Sequence, residues 1–307
     1  MKRICNLSIG ILLLAICQFG CSTGGSQNET GSGKVTIYVV NYPLEYFAER
    51  IGGDHVDVVF PAPKHEDPAY WVPDDDVISA YQDADLILLN GADYAKWTKT
   101  ASLSQSKTCD TSSSFANQYI RVKGETHSHS DGKTHSHSGL AFTTWIDPVL
   151  AIKQADTIRK KLSELRPSHS QTFQQNFESL RKDLKDLDNR IQAIVKQAPK
   201  SSVIFSHPVY QYLAREYKLN AKSVHWEPDV EATPKMLSEL DRLLSKHQAK
   251  WMIWEGEPVA DNVRMLEKRG VKSTVFDPCA KTPEKGDYLV VMRRNVDNLT
   301  QVFVKKK

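Results

Sequence analysis

The segment "RPSHSQTFQQNFESLRKDLKDLDNRIQAIVKQAP", residues 166 to 199, does most to limit what this chain can fold into. Its apolar residues Phe173, Phe177, Leu180, Leu184, Leu187, Ile191 and Ile194 recur at alternating spacings of four and three. That period is one stripe along a continuous helix. Pro167 and Pro199 bracket it, which gives roughly 27 helical residues and about 40 Å at 1.5 Å per residue. Such a stripe suits a coiled-coil partner, but three or four heptads inside an α/β chain more commonly pack across two domains.

Both flanks read as α/β. Before the helix, Val35 to Val40 is a strand, "NYPLEYFAERIGG" a turn and a helix ending at Gly52 and Gly53, and "VDVVF" a second strand. "PDDDVISAYQDAD" then opens a helix on acidic residues, and Leu86 to Leu89 is a buried strand. After the helix the rhythm restarts with strand "SVIFS", helix "PVYQYLAREYKL", helix "TPKMLSELDRLLSKHQ", strand "KWMIWEG", helix "DNVRMLEKRG" and strand "KSTVFDP". Strands alternating with helices imply parallel sheets with functional loops at the strand C-termini. The expected class is α/β, with two α/β lobes (35–166 and 199–307) joined by one long backbone helix (167–198). No internal repeat is visible in the residues themselves.

The N-terminus pairs Lys2 and Arg3 with an apolar run from Ile9 to Ile16, too short to span a bilayer and shaped like a signal-peptide core. Residues 1–21 are therefore expected to direct export. Cys21 follows Gly20 and precedes the polar stretch "STGGSQNETGSGK", which fits a lipidation site feeding a flexible tether over 22–34. Gln18 and Phe19 depart from the usual Leu-small pattern, so plain cleavage into the periplasm is the second reading of Cys21. Removing Lys2 and Arg3 from the 40 basic residues leaves 38 against 37 acidic ones, and a nearly neutral chain without a basic patch argues against nucleic acid. Outside the leader only Cys109 and Cys279 remain; in an oxidising compartment they pair or stay as two buried thiols.

Six segments carry a family resemblance. "YPLEYFAERIGGDHVDVV", "DADLILLNGADYAKW", "TWIDPVLAIKQADTI", "VIFSHPVYQYLAREY", "WEGEP" and "VFDPCAKTPEKGDYLVVMRRNVDNL" occur in the order seen in the zinc and manganese substrate-binding proteins of bacterial ABC transporters. The chain resembles that family over nearly its whole mature length. The resemblance implies two α/β lobes bridged by a rigid helix, with a metal held between them by imidazoles and a carboxylate. It matches His207 in "SHPVYQY" to one family histidine and Asp277 in "FDP" to the closing carboxylate. It also exposes two departures: Ala69 in "DPAYW" and Thr143 in "TTWIDP" stand where the family has histidines. Alanine coordinates nothing, and a neutral threonine hydroxyl is a poor zinc ligand beside imidazole or carboxylate.

Replacement donors are present. "SVHWEPD" sets His225 and Glu227 where a strand of the second lobe should end, and "WEGEP" sets Glu255 and Glu257 after another. Glu257 matches a family glutamate that acts as a ligand or orients one. His65 and Glu66 precede the altered Asp-Pro. The expected metal set is His207, Asp277, His225 and Glu257, with His65 as an accessory. "THSHSDGKTHSHS" adds His127, His129, His135 and His137 in a loop over 126–138, a composition suited to collecting zinc, nickel or copper at an ordering cost. Tyr70, Trp71, Trp145, Trp226 and Trp254 also fall near predicted strand ends and could wall a ligand.

The expected function is that of an extracytoplasmic, lipid-anchored monomer that captures a divalent metal, zinc first and manganese second, for an ABC permease in the membrane. Two alternatives remain open: a binding protein of the same fold for a metal chelate or small organic ligand, and a metallohydrolase using His207, Asp277 and a glutamate base. No HExxH or nucleophile elbow supports the enzyme.

Overall fold

β1 (Val35–Val39) alternates fully buried and half-buried residues because successive side chains point to opposite faces of the sheet, and it lies between two neighbours, β2 (Val56–Val59) and β3 (Leu86–Leu89). The computed structural model describes residues 33–122 and 139–304 in full, and the backbone of 126–128 and 134–136. The leader, Cys21 and nearly all of the tether lie outside the described residues, as do His129, His137 and the side chains of His127 and His135.

α1 (Tyr42–Gly52) starts where Asn41 caps it, its side chain accepting from the Leu44 amide at 3.1 Å, with Pro43 in the first turn. It ends at Gly53, whose φ of +54° is a conformation that favours glycine. α2 (Asp75–Asp83) is capped by Asp74. β4 (Thr108–Asp110) completes a parallel sheet of order β2-β1-β3-β4. Beyond it β5 (Arg121–Val122) pairs antiparallel with β8 (Gly139–Leu140), and between them β6 (Thr126–Ser128) pairs antiparallel with β7 (Thr134–Ser136). α3 (Pro148–Leu165) is capped by Asp147, which accepts from the amides of Val149 and Leu150.

The long helix forms as the stripe requires. α4 runs Ser170–Val195, 26 residues, and buries Phe173, Phe177, Leu180, Leu184, Leu187, Ile191 and Val195. It packs against α1, α3 and the last helix. Ile194 is only half-buried, and Val195 takes the final place in the stripe. The helical period of 3.6, slightly longer than the 3.5 of the pattern, rotates the last turn away from the seam.

The second lobe contains β9 (Ser202–Phe205), α5 (Gln211–Glu216), β10 (Asn220–Ser223), α6 (Pro234–Leu244), β11 (Trp251–Trp254), α7 (Ala260–Glu267), β12 (Lys272–Val275) and α8 (Tyr288–Phe303). Its sheet is parallel in the order β10-β9-β11-β12. The two sheets therefore share one strand order, a structural repeat that the residues do not display. One apolar core runs through the first lobe, the α4 stripe, α8 and one face of the second sheet, while Trp226, Leu240, Met252, Trp254 and Leu266 form a separate cluster on the other face.

Hydrogen bonds tie the lobes on the cleft side. The Trp145 indole donates to the Pro278 carbonyl at 2.7 Å, the Tyr288 hydroxyl donates to the Trp145 carbonyl at 2.9 Å, and the Tyr212 hydroxyl donates to the Ala141 carbonyl at 2.8 Å. Trp145 and Tyr288 are fully buried, where an unmade bond would be costly. Cys109 and Cys279 are both free, and burial pushes the Cys109 thiol up to about 11.

Candidate metal centre

The C-terminal ends of the second lobe's strands meet in a cleft. β9 runs out at Phe205, and the Ser206 amide continues its pairing by donating to the Ile253 carbonyl at 2.9 Å. The amides of Val224 and Trp226 likewise donate to Phe205 and Ser206, carrying β10 past its end. This register brings His207 beside the residues that follow β10 and β11. The His207 imidazole, 3% exposed, has Nδ1 at 3.5 Å from Glu227 Oε1 and 4.0 Å from Glu255 Oε1. One donor atom from each of these three residues lies within 4.8 Å of the other two, a spacing that a single ion can bridge.

The sequence-derived set is distributed unevenly around this trio. Asp277 follows β12 and lines the cleft, but its carboxylate is also engaged structurally. It accepts from the Cys279 amide at 2.7 Å and lies 3.8 Å from the Arg294 guanidinium. The Asn295 side chain holds the Asp277 backbone from both sides. The His225 ring packs edge-on against His207 with centroids 5.7 Å apart. Glu257 is exposed and outside the cleft wall, because the chain turns away after Glu255. Glu255, which shares its strand-end segment, holds the inward position. His65 is exposed and sits at the cleft wall with Glu66 and Asp67.

The two altered positions are accommodated differently. Ala69 is fully buried in the first lobe's core, where its amide donates to Asp67 at 2.9 Å and its carbonyl accepts from Lys96. It is not part of the cleft wall. Thr143 does line the wall, and its hydroxyl donates to the Val209 carbonyl of the other lobe. A side chain that resembles a lost ligand thus serves as a tie between lobes.

Electrostatically the trio suits a cation. Burial pushes the Glu255 carboxyl well above the usual carboxylate range, and the nearby charges of Glu227, Asp67 and Asp277 push it further, with Lys281 opposing. Burial also raises Asp277, against the Cys279 amide and the Arg294 and Lys281 charges. A divalent ion would reverse both costs by supplying positive charge where the carboxylates crowd. One imidazole and two carboxylates form a donor set that zinc accepts, in which three protein ligands leave a coordination position open.

Glu227 and Glu255 were visible in the sequence as acids after strands, but nothing in it ranked them above Glu257. The deciding signal is the distance from the strand end: Glu255 immediately follows Trp254, the last residue of β11. Among the aromatics, Tyr70, Trp71 and Trp145 line the cleft, whereas Trp226 and Trp254 pack in the outer cluster.

Comparison with known proteins agrees with this architecture. The chain is 25% identical over 303 residues to the zinc-binding lipoprotein AdcA of Streptococcus pneumoniae, covering 95% of this chain but 60% of that protein. It thus spans less than two thirds of that relative's length. The high-affinity zinc uptake system protein ZnuA of Bacillus subtilis is matched over 95% of its own length at 28% identity. Among solved structures, zinc-bound AdcA from S. pneumoniae superposes with a TM-score of 0.77 at 24% identity, covering 89% of this chain and 59% of that one. The B. subtilis metal-dependent lipoprotein YcdH superposes at 0.76 with 23% identity, covering 89% of this chain and 100% of that one. The family model for the periplasmic component A of the zinc-uptake complex matches residues 37–302, and with two like-ordered parallel sheets on one long helix, the chain belongs to that family.

Proposed function

We propose that the protein is the extracytoplasmic substrate-binding component of an ABC metal transporter, capturing zinc in the cleft and passing it to a membrane permease. The observation that carries this reading is the convergence of His207, Glu227 and Glu255 donors within 4.8 Å at three strand ends. His207 and the two glutamates hold the ion, His225 supports the imidazole from beside it, and Asp277 adds a carboxylate across the wall. Glu257 is assigned no contact with the ion, because it is exposed outside the cleft. Manganese is the secondary candidate, since the carboxylate share of the set is harder than an all-imidazole site. Cys21 is the proposed lipid attachment point, and the four histidines of 126–138 are proposed to collect metal for the cleft. The mechanism is binding and release, with no covalent step: the proteins named as relatives are described by zinc binding and uptake.

The test is calorimetric titration with zinc, plus elemental analysis, on protein lacking 126–138. His207→Ala should weaken zinc binding at least tenfold, or about 1.4 kcal/mol. Unchanged affinity in the folded variant would remove the assignment.

A further inference from the structure

α5 belongs to the second lobe but is seated on the first. Tyr212 is fully buried in a small apolar cluster with Phe115, Ala141 and Leu150 of the first lobe, separate from the main core. Its hydroxyl enters the base of the β5–β8 pair. There the Ala141 amide donates to the Ile120 carbonyl at 2.9 Å, and in the return direction the Ile120 amide donates to the Tyr212 hydroxyl at 3.3 Å, which donates to the Ala141 carbonyl at 2.8 Å. The Arg215 guanidinium lies 5.0 Å above the Tyr212 ring, donates to the Gln118 carbonyl and comes within 3.8 Å of Asp147 Oδ2. A six-residue helix held by so small a cluster is the kind of unit that opens locally before the core does. His207 stands just ahead of α5, so the docking of this helix also sets how the segment carrying His207 meets the first lobe.

The contact holds a carboxylate with one oxygen idle. Asp147 Oδ1 caps α3 through the amides of Val149 and Leu150, whereas Oδ2 is buried without a hydrogen bond. The side chain is only 1% exposed. Two charges from α5 face it: Arg215, too distant for a hydrogen bond, and Glu216, which repels it. Tyr212, Tyr217 and Tyr288 face it as well, and burial raises all three hydroxyls, which keeps them neutral. Burial and the Glu216 charge push the Asp147 carboxyl up to about 6. Lifting α5 would expose Oδ2 to water and remove Glu216 while the two amide bonds stayed, returning the carboxyl towards 3.8. The docked state therefore holds a proton that the undocked state releases. Docking is strongest below about pH 4, and that advantage is lost as pH rises through about 6.

We propose that α5 is a proton-linked latch between the lobes, with Asp147 taking up the proton and Arg215 and Glu216 setting the pH at which it acts. Acid holds α5 on the first lobe, and ionisation of Asp147 loosens it. The step is protonation of Oδ2 from solvent, with no other bond made or broken. None of these residues is assigned to the metal, so the latch operates in metal-free protein.

The Ile120 amide reports the latch directly, because its acceptor is the Tyr212 hydroxyl. The experiment follows its hydrogen exchange by NMR in the metal-free full chain from about pH 4 to about pH 7.5, corrected for the intrinsic rate, with the amides of β1 as reference. Protection of Ile120 should fall by about ten- to a hundredfold across that range, the span that the gap between 3.8 and about 6 allows, while β1 changes less. In Asp147→Asn the protection should stay high and flat. In Glu216→Gln the fall should move to lower pH, and in Arg215→Gln to higher pH, shifts that a merely structural contact would not produce. Ile120 protection independent of pH in the wild type would overturn the proposal, as would an unaltered fall in Asp147→Asn or an unmoved midpoint in Glu216→Gln. Equal changes at Ile120 and in β1 would also overturn it, since pH would then be acting on the whole fold.

Discussion

Glu255→Gln separates the cost of the cleft's charges from their use. The substitution keeps side-chain volume and removes one of two carboxylates whose oxygens lie within 4.8 Å of each other. Glu255 has 22% of its side-chain surface exposed, so partial screening applies, and an effective dielectric of about 20 gives a repulsion of about 3.5 kcal/mol when both are ionised. The sign follows from the direction of its shift. Its folded-state carboxyl is raised above the unfolded value, so the native protein holds that proton more tightly, and stability is lost as pH rises through the folded value. The metal-free variant should therefore match the wild type in acid and melt higher once the wild-type carboxylates are all ionised. The gain is up to about 3 kcal/mol, or roughly 5–10 °C for a chain of this size. Zinc affinity should move oppositely, falling at least tenfold, because the amide is a weaker donor and carries no charge. Thermal melts of the metal-free protein across pH and zinc calorimetry at fixed pH measure the two halves. A variant that melts lower than wild type at every pH, or binds zinc equally well, would refute the reasoning.

Asp147 is pushed up to about 6 from 3.8 by burial and the Glu216 charge, which outweigh its two amide bonds and Arg215. Its proton stabilises the fold in acid, and that contribution is lost as pH rises from about 4 to about 6, so Asp147→Asn, which still caps α3, should raise the melting temperature at pH 7 by the equivalent of ~2 kcal/mol and flatten the acid slope; a lower melting temperature would show that the Arg215 contact dominates. Ala69→His should not rebuild a metal ligand, because residue 69 is fully buried away from the cleft wall. Overpacking should cost about 1–3 kcal/mol, and tighter zinc binding by this variant would contradict the placement. Leu184→Ala, at a fully buried point of the α4 stripe, should destabilise by about 2–5 kcal/mol and lower the melting temperature by roughly 5–15 °C, with a smaller loss indicating that the helix seam collapses into the gap.

The sequence by itself determined the architecture, because periodicity is a local property. The four-three spacing from Phe173 onward dictates one helix, and the apolar runs at Val35, Leu86, Val203 and Met252 dictate buried strands whatever surrounds them. The family segments added which loops face the cleft. Tertiary structure alone decided which side chains share the site. Glu255 and Glu257 are equivalent in composition and two residues apart, yet only the first remains beside His207 after the chain leaves β11. Ala69 and Thr143 looked alike as missing ligands, but one lies in the core and the other bonds across the lobes to Val209. The shared strand order of the two sheets was hidden for the same reason. Parallel pairing is set by backbone hydrogen bonds between segments far apart in the chain, which many different side chains can satisfy, so neither the repeat nor the convergence of His207, Glu227 and Glu255 leaves a pattern in the order of the residues.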